Sequence, residues 1–155
     1  MSEKLSLLEQ EGEIAADYLE GLLDIADLDG DIDMDVENGR ATVSIVGADL
    51  SQLVGPKGQV LDALQELTRL AVTRETGERS RLMLDISGYR VSVRERLIEL
   101  AKEAAQQAIE SGEPVELKPM NAFERKIVHD AVGEAGAVSA SKGEEPKRRI
   151  VVHPA

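Results

Sequence analysis

Leu53–Leu67, with the sequence LVGPKGQVLDALQEL, predicts a short helical turn, a tight loop and a second helix. The loop is a Gly-x-x-Gly motif at 55–58, and the helical turn before it covers about residues 50–54. From residue 60 onward the apolar residues recur every three or four positions and predict one buried helix face. They are Val60, Leu61, Leu64, Leu67, Leu70 and Ala71.

The loop between these two helices is a candidate binding site for a polyanion. This arrangement leaves backbone N–H groups and the positive end of the second helix's dipole pointing outward. Neither glycine carries a Cβ that would hold a ligand away from the backbone. The candidate binding residues are those of the loop and the first residue of the following helix: Gly55, Pro56, Lys57, Gly58 and Gln59.

A Gly-x-x-Gly loop between two helices also occurs as a simple turn that binds nothing. Two residues between the glycines are too few for a Walker loop, and no Lys-Ser or Lys-Thr pair follows the second glycine. A dinucleotide-binding loop would need a preceding strand and a third glycine. The pattern alone leaves the turn and the binding loop open, so the surrounding elements have to decide between them.

The composition of the 155 residues excludes several classes of site. Aromatic residues make up 2% of the chain, so we do not expect base stacking on a sheet lined with aromatic side chains. The absence of Cys removes disulfides, thiolate zinc sites and cysteine nucleophiles. No apolar run reaches the roughly 18 residues of a membrane span, and the N-terminus is unlike a signal peptide. We therefore expect a cytoplasmic protein with no cofactor, no metal and no membrane insertion.

The net charge of −12 argues against nucleic-acid binding until its distribution is considered. Residues 1–37 carry 13 acidic side chains and one basic side chain, Lys4, which accounts for the whole imbalance. Residues 38–155 carry equal numbers of acidic and basic side chains and have room for local basic patches.

The first half of the chain predicts alternating helices and strands after a flexible N-terminus at 1–12. Alternation of apolar and acidic residues at 32–36 predicts a half-buried strand, and Asn38-Gly39 is a strong hairpin signal. The predicted elements are a helix from Glu13 to about Leu28, strands at 32–36 and 41–46, the helix–loop–helix segment to about Glu75, and a strand at 81–86.

This order, α-β-β-α-α-β with the Gly-x-x-Gly loop between its last two helices, resembles the type II KH domain of prokaryotes. The resemblance covers residues 13–87 and implies that the loop grips the backbone of single-stranded RNA or DNA. A basic pair is common between the glycines in that family, whereas this chain has Pro56, which offers neither a charge nor an N–H. Lys57 alone supplies the charge of the loop, and we expect weak binding through it.

The second half predicts a long helix followed by a small α/β segment. In the long helix, at 89–110, Arg90 and Arg94 share one face. These two arginines either pair with nearby carboxylates or face a nucleic acid. After a short strand at 115–119, Asn121 is a good N-cap, and Glu124 completes a capping box.

The helix that begins after this cap is predicted to present Arg125 and His129 on one side. Strands at 137–141 and 150–152 follow it, and a basic run at 147–149 precedes the last strand. The helix is predicted to bury Phe123, Ile127, Val128 and Ala131.

The stretches PMNAFERKIVH at 119–129 and SKGEEPKRR at 141–149 resemble the Arg-x-x-x-His (R-x3-H) domain that binds single-stranded nucleic acid. A KH domain followed by DISGYR at 85–90, a long helix and this segment resembles the bacterial Jag family, also called SpoIIIJ-associated, KhpB or EloR proteins. The resemblance covers roughly residues 10–154, and Lys142 departs from the family pattern. Many members carry a further N-terminal domain, and the short form is expected here. The resemblance implies post-transcriptional regulation linked to cell elongation and division, with a small KH-domain partner protein or a homodimer.

The functional interpretation gives Arg125 a charge-assisted phosphate contact, and His129 a hydrogen bond to phosphate or a stacking contact with a base. Lys147, Arg148 and Arg149 would extend this surface into one basic patch. The alternative is that Arg125 and His129 form a satisfied pair on a helix surface. Catalysis is not expected, because the only other histidine, His153, lies near a terminus and no carboxylates have metal-ligand spacing.

The sequence therefore predicts an α+β protein of two domains, a type II KH domain and, at 88–155, a long helix with a small α/β R-x3-H domain. The predicted function is binding of single-stranded RNA, with single-stranded DNA as a second candidate ligand. Two weak sites on one chain would raise the overall affinity through effective concentration. The alternative is a KH-fold scaffold for protein partners, which Pro56 and the acidic N-terminal quarter favour.

Overall fold

The order of elements predicted for the first half of the chain is observed in the computed structural model, which describes residues 2–155. The chain divides into two units, Met1–Arg90 and Val91–Ala155. Each unit combines helices with a three-stranded sheet, so the α+β prediction is confirmed. The elements of the first unit are α1 (Ser2–Ile25), β1 (Asp31–Glu37), β2 (Arg40–Val46), α2 (Ser51–Val54), α3 (Gln59–Thr76) and β3 (Met83–Ile86).

The sheet of the first unit has the strand order β1-β2-β3, with β1 antiparallel to β2 and β2 parallel to β3. Asn38 and Gly39 form the predicted hairpin turn, and both have positive φ angles, as a type I′ turn requires. Alternate residues of β2 are buried, so this strand turns one face towards the core. The core includes Ala15, Leu19, Leu23, Ala41, Val43, Ile45, Leu61, Leu64, Val72, Leu84 and Ile86.

Helix α1 begins at Ser2 rather than at Glu13, so helix replaces the flexible segment predicted at 1–12, apart from Met1, which lies outside the described residues. The carboxylate of Glu11 accepts a hydrogen bond from the Ser80 hydroxyl at 2.6 Å and ties this part of the helix to the rest of the unit. The polar composition of residues 1–12 favoured a flexible end, and Leu5 and Leu7 are about half exposed along the helix that forms instead.

The other end of α1 also differs from the prediction. The helix ends at Ile25, three residues before the expected Leu28. Asp27 adopts a left-handed conformation with φ of 57°, which is incompatible with continuing the helix.

The buried face of α3 is rotated relative to the predicted one. Leu67 and Leu70 are exposed, whereas Thr68 is fully buried and donates its hydroxyl to the carbonyl oxygen of Leu64 at 2.7 Å. A threonine can occupy a core position when its hydroxyl is satisfied in this way, and a hydrophobic pattern does not show it. The buried face consists of Leu61, Leu64, Thr68 and Val72.

Helix α4 (Tyr89–Ser111) agrees with the long helix predicted at 89–110; it begins in the last two residues of the first unit and continues into the second. Neither α4 nor any other helix within residues 2–155 is long and apolar enough to cross a membrane. The second unit continues with β4 (Val115–Glu116), α5 (Ala122–Glu134), β5 (Val138–Lys142) and β6 (Arg149–His153).

The second sheet has the strand order β4-β6-β5, with both pairings antiparallel, and one of its faces carries the core of the unit. Ile150 and Val152 of β6 point into this core and are fully buried. The alanines of α4 have short side chains, which allow the helix to pack closely in the core. The core includes Leu97, Ala101, Ala104, Ala105, Ala108, Val128, Val132, Ile150 and Val152.

Candidate nucleic-acid interface

The Gly-x-x-Gly loop forms a single 3-10 turn, Pro56–Gly58, between α2 and α3. Lys57 and Gly58 both adopt left-handed backbone conformations, with φ of 56° and 74°. A left-handed conformation costs a residue with a side chain about 1–3 kcal/mol and is often found at functional sites. Lys57 is exposed, so the structure presents the single charge of the loop to solvent in a constrained conformation.

Most of the loop's backbone N–H groups are already paired, contrary to the expectation that they point outward. The N–H of Gly55 donates to the Ser51 carbonyl at 3.0 Å, and that of Gly58 donates to the Gly55 carbonyl at 3.2 Å. The N–H of Gln59 donates to the Pro56 carbonyl, and Pro56 has no N–H. An anion would therefore be attracted by the N-terminal end of α3, which has no side-chain cap, and by the ammonium group of Lys57.

Both glycines of the loop are required by packing as well as by backbone conformation. A Cβ on Gly58 would lie 2.6 Å from Cε2 of Tyr89, and a Cβ on Gly55 would lie 2.4 Å from Cγ2 of Val60. The Tyr89 ring therefore lies directly against the loop, a contact that the sequence did not indicate. Replacing these glycines by Asp would disturb the fold as well as repel an anion, so Lys57 is the better position for a binding test.

Arg90 is held in a network of hydrogen bonds within the first unit. Its guanidinium donates to the Leu84 carbonyl at 2.7 Å, to the Gln65 side chain at 3.2 Å and to the Asp62 carboxylate at 3.0 Å. Its backbone N–H donates to the Asp85 carboxylate at 2.9 Å. Of the two alternatives for Arg90, the structure thus shows pairing with nearby carboxylates. The hydrogen bonds of Arg90 anchor the start of α4 to α3 and β3.

Arg94, one turn further along α4, is in a different environment. Its side chain is exposed and makes no hydrogen bond or ion pair with the described residues. Arg90 and Arg94 lie four residues apart, and this spacing predicts that they share one face of the helix. In the structure, Arg90 is hydrogen-bonded to protein groups, whereas Arg94 is exposed to solvent.

Arg125 is buried, with 8% of its surface exposed. Its guanidinium donates to the Met120 carbonyl at 2.5 Å and forms an ion pair with the Glu145 carboxylate at 2.9 Å. The side chain thereby ties the first turn of α5 to the turn between β5 and β6. Its donors face protein groups, unlike the exposed phosphate-binding arginine that the sequence suggested.

His129 lies over β5 and contacts two serine hydroxyls. Its Nδ1 is 2.6 Å from Oγ of Ser139, and its Nε2 is 3.0 Å from Oγ of Ser141. A hydroxyl can donate or accept, so either tautomer of the neutral imidazole is satisfied. The sequence interpretation did not include these serines in the site, although their alternate positions in the predicted strand place them on one face.

Arg149, the last residue of the basic run at 147–149, does not lie in one patch with Arg125 and His129. Arg149 pairs in register with the exposed Lys142, and Arg149 forms an ion pair with Glu116. Ser141, the neighbour of Lys142, contacts His129, and successive residues of a strand point to opposite faces. Arg149 therefore lies on the sheet face opposite His129, and the single basic patch predicted from the sequence is wrong for this residue.

The other two basic residues of the run lie in the turn between β5 and β6. Lys147 is exposed, and the Arg148 guanidinium donates to the Gly143 carbonyl at 3.0 Å. Glu145, the partner of Arg125, lies in the same turn. Arg125 and the basic turn are thus connected through Glu145, and not by a shared exposed surface.

Phe123 is 58% exposed, so the prediction that it is buried is wrong. The core side of α5 is formed by Arg125, Val128 and Val132, with Ile127 and Ala131 beside them. Because Arg125 takes a core position, Phe123 is turned outward, together with Lys126, which the sequence interpretation also left out of the site.

Comparison with known families tests the interpretation of the second unit. Residues 95–154 match the R-x3-H domain family. This match confirms the resemblance to the Arg-x-x-x-His domain over these residues. They include α5, the three strands of the second unit and α4 from Glu95 onward.

Curated relatives are similar to the chain across both units. The chain is 34% identical over 141 residues to the RNA-binding protein KhpB of Clostridium symbiosum, covering 89% of this chain and 64% of that protein. It is 35% identical over 128 residues to RNA-binding protein KhpB of Bacillus subtilis (strain 168), covering 79% and 62% respectively. The match to the KhpB protein of Lactiplantibacillus plantarum is 31% over 137 residues and covers 42% of that protein. The chain thus spans less than two thirds of the length of these relatives.

Proposed function

We propose that this protein binds single-stranded RNA without catalysing a reaction. The observation that carries the proposal is the similarity to proteins named RNA-binding over 79–89% of the chain, because it includes both units. The match of residues 95–154 to the R-x3-H domain supports the same function for the second unit. Single-stranded DNA offers the same phosphates and bases and is the second candidate ligand.

The first proposed site is the loop at Gly55–Gln59 in a type II KH domain at 13–87. The order of elements and the mixed sheet support this assignment. Lys57 supplies the charge and the N-terminal end of α3 supplies a positive dipole. Since Pro56 adds no donor, binding at this site depends on one side chain.

The second proposed site lies in the R-x3-H unit, around α5 and the turn between β5 and β6. We assign direct contacts with the nucleic acid to Lys147, Arg148 and His129. Arg125 acts as a positioning residue, because its ion pair with Glu145 orders the turn that carries the two basic residues. Arg149 and Arg90 keep structural roles through Glu116 and Asp62, and Arg94 remains a candidate contact.

The resemblance to the Jag family also suggests a cellular role for RNA binding by this protein. We propose that the protein acts as a cytoplasmic post-transcriptional regulator linked to elongation and division, alone as a homodimer or with a small KH-domain partner.

A second candidate function, docking of a protein partner, is favoured by one feature of the first unit. A groove of about 390 Å³ lies between α1 and β1 and combines apolar side chains, Leu5, Leu8 and Met34 among them, with the carboxylates of Glu9 and Glu13. Leu5 and Met34 are about half exposed. An acidic groove of this kind would repel RNA, so a protein ligand there would be compatible with RNA binding elsewhere on the chain.

The test is binding of a labelled single-stranded RNA pool across a salt series, with duplex RNA and single-stranded DNA as controls. The logarithm of the binding constant should fall with the logarithm of salt by about 0.7 for each phosphate contacted. Lys57→Gln should reduce this slope by about 0.7, whereas Lys4→Gln, an exposed lysine of α1, should leave it unchanged. A folded protein that binds no single strand at low salt would contradict the proposal and direct the search to protein partners.

A further inference from the structure

Phe123 is an aromatic side chain on the surface of a chain that has few aromatic residues. The sequence contains one Phe, two Tyr and no Trp. Tyr18 and Tyr89 are partly buried against the core of the first unit, whereas Phe123 is 58% exposed in the first turn of α5. Because its ring is exposed, Phe123 lacks the hydrophobic stabilisation that burial gives the other aromatic side chains.

The backbone that carries Phe123 is held in place on both sides. The Asn121 side chain accepts a hydrogen bond from the N–H of Glu124 at 2.8 Å, and the Glu124 carboxylate accepts one from the N–H of Asn121 at 3.0 Å. Arg125 anchors the same turn to Met120 and Glu145. The ring is thus presented from a rigid turn, which lowers the entropy lost when a ligand binds to it.

The surroundings of Phe123 suit a nucleotide better than a protein partner. Lys126 lies one helical turn from Phe123, about 5–6 Å between Cβ atoms, and is exposed. Phe123 is the one large apolar side chain exposed on α5, so this face of the helix lacks the broad apolar patch of a protein interface. His129 follows Lys126 by three residues and borders the same face.

We infer that an unpaired base stacks on the Phe123 ring and that a neighbouring phosphate of the same strand contacts Lys126. Base stacking on an aromatic side chain tolerates any sequence because every base has a π face. The inference rests on the proposed function and adds to it a contact on α5 itself. It agrees with the low aromatic content, because a single ring on a helix replaces the stacking sheet that the composition excludes.

The experiment compares Phe123 variants of the full chain for affinity towards a labelled single-stranded RNA. Phe123→Ala should weaken binding about 5- to 150-fold, the range measured for loss of one base–aromatic stack. Phe123→Tyr and Phe123→Trp should retain binding, and Phe123→Leu should not, because leucine keeps the apolar contact without a π face. Val138→Ala is the matched control, since Val138 is 56% exposed in the same unit.

Fluorescence gives an independent readout, because Phe123→Trp introduces the only Trp of the chain. Single-stranded RNA and DNA should both quench this Trp, whereas inorganic polyphosphate, which has no bases, should not. Lys126→Gln should lower the salt slope by about 0.7 relative to the Lys102→Gln control on α4.

The outcomes separate this inference from the function on which it rests. If wild type binds RNA and Phe123→Ala binds equally well, the stacking inference is wrong and the proposed function stands. Full recovery in Phe123→Leu, or quenching by polyphosphate, would also overturn it. If Phe123→Ala changes self-association measured by sedimentation while leaving RNA affinity unchanged, the surface is a protein contact. If wild type binds no single strand, both proposals fail.

Discussion

Nη2 of the buried Arg125 lies 2.9 Å from a carboxylate oxygen of the exposed Glu145. The arginine belongs to α5 and the glutamate to the turn between β5 and β6, so this ion pair connects two segments that are distant in sequence. Removing one partner of such a pair costs more than removing one partner of a fully exposed pair, because the remaining charge is left without compensation.

Arg125→Ala should lower the free energy of unfolding by about 1–3 kcal/mol, because it removes the ion pair and leaves the Met120 carbonyl without its donor. Lys126→Ala, at the adjacent exposed position, should change it by less than about 0.5 kcal/mol. Urea unfolding monitored by circular dichroism measures both. Equal stabilities would show that the Arg125 guanidinium is not held as described.

Glu145→Gln should weaken RNA binding although it makes the protein less acidic. Loss of the carboxylate frees the turn that carries Lys147 and Arg148, so the affinity should fall if Arg125 acts by positioning. A purely electrostatic effect would raise the affinity instead. Glu144→Gln, its neighbour in the same turn, is the matched control, and filter binding at fixed salt distinguishes the two directions.

Ser139→Ala combined with Ser141→Ala should lower RNA affinity without removing any charge. The two hydroxyls hold both ring nitrogens of His129, and an unrestrained ring loses entropy when it binds a ligand. We expect a loss smaller than that caused by His129→Ala. Ser92→Ala on α4 serves as control, since Ser92 is exposed. An unchanged affinity for the double variant would remove the serines from the site.

Gly58→Ala should destabilise the first unit by about 1–3 kcal/mol, because the added methyl would meet the Tyr89 ring and the backbone has a left-handed φ of 74°. Tyr89→Ala makes room for that methyl, so the double variant should be more stable than the sum of the two single changes predicts. Thermal unfolding of the four proteins measures this coupling. Strict additivity would mean that the ring does not press on the loop.

Arg90→Ala should destabilise the first unit by about 1–3 kcal/mol through loss of its bonds to Leu84, Gln65 and Asp62. Arg94→Ala, one helical turn away and exposed, should leave stability within about 0.5 kcal/mol of wild type. The protection of the β3 backbone amides against hydrogen exchange measures this difference in stability between the two variants. Similar protection in both variants would contradict a structural role for Arg90.

The kind and order of the elements could be predicted from the amino-acid sequence, because the signals for them are local. Asn38-Gly39 takes the positive φ angles of a hairpin turn, Asn121 and Glu124 cap a helix start, and apolar alternation gives β2 one buried face. These features depend on a few neighbouring residues, and tertiary contacts did not override them. The resemblance to the Arg-x-x-x-His domain likewise rested on short motifs, and the family match over residues 95–154 confirmed it.

The buried face of each helix and the pairing of polar groups, in contrast, depend on contacts between residues distant in sequence. Helical spacing places Arg125 and His129 on one side but does not show whether that side faces solvent or the sheet. In the fold, Glu145 and the Met120 carbonyl satisfy Arg125 in a buried position, and this rotation of α5 exposes Phe123. Because successive residues of a strand point to opposite faces of the sheet, Arg149 lies on the face opposite His129. The sequence had predicted one basic patch that contained both residues. Burial of a charge depends on partners distant in sequence. For this reason the predicted site differs from the structure more than the predicted fold does.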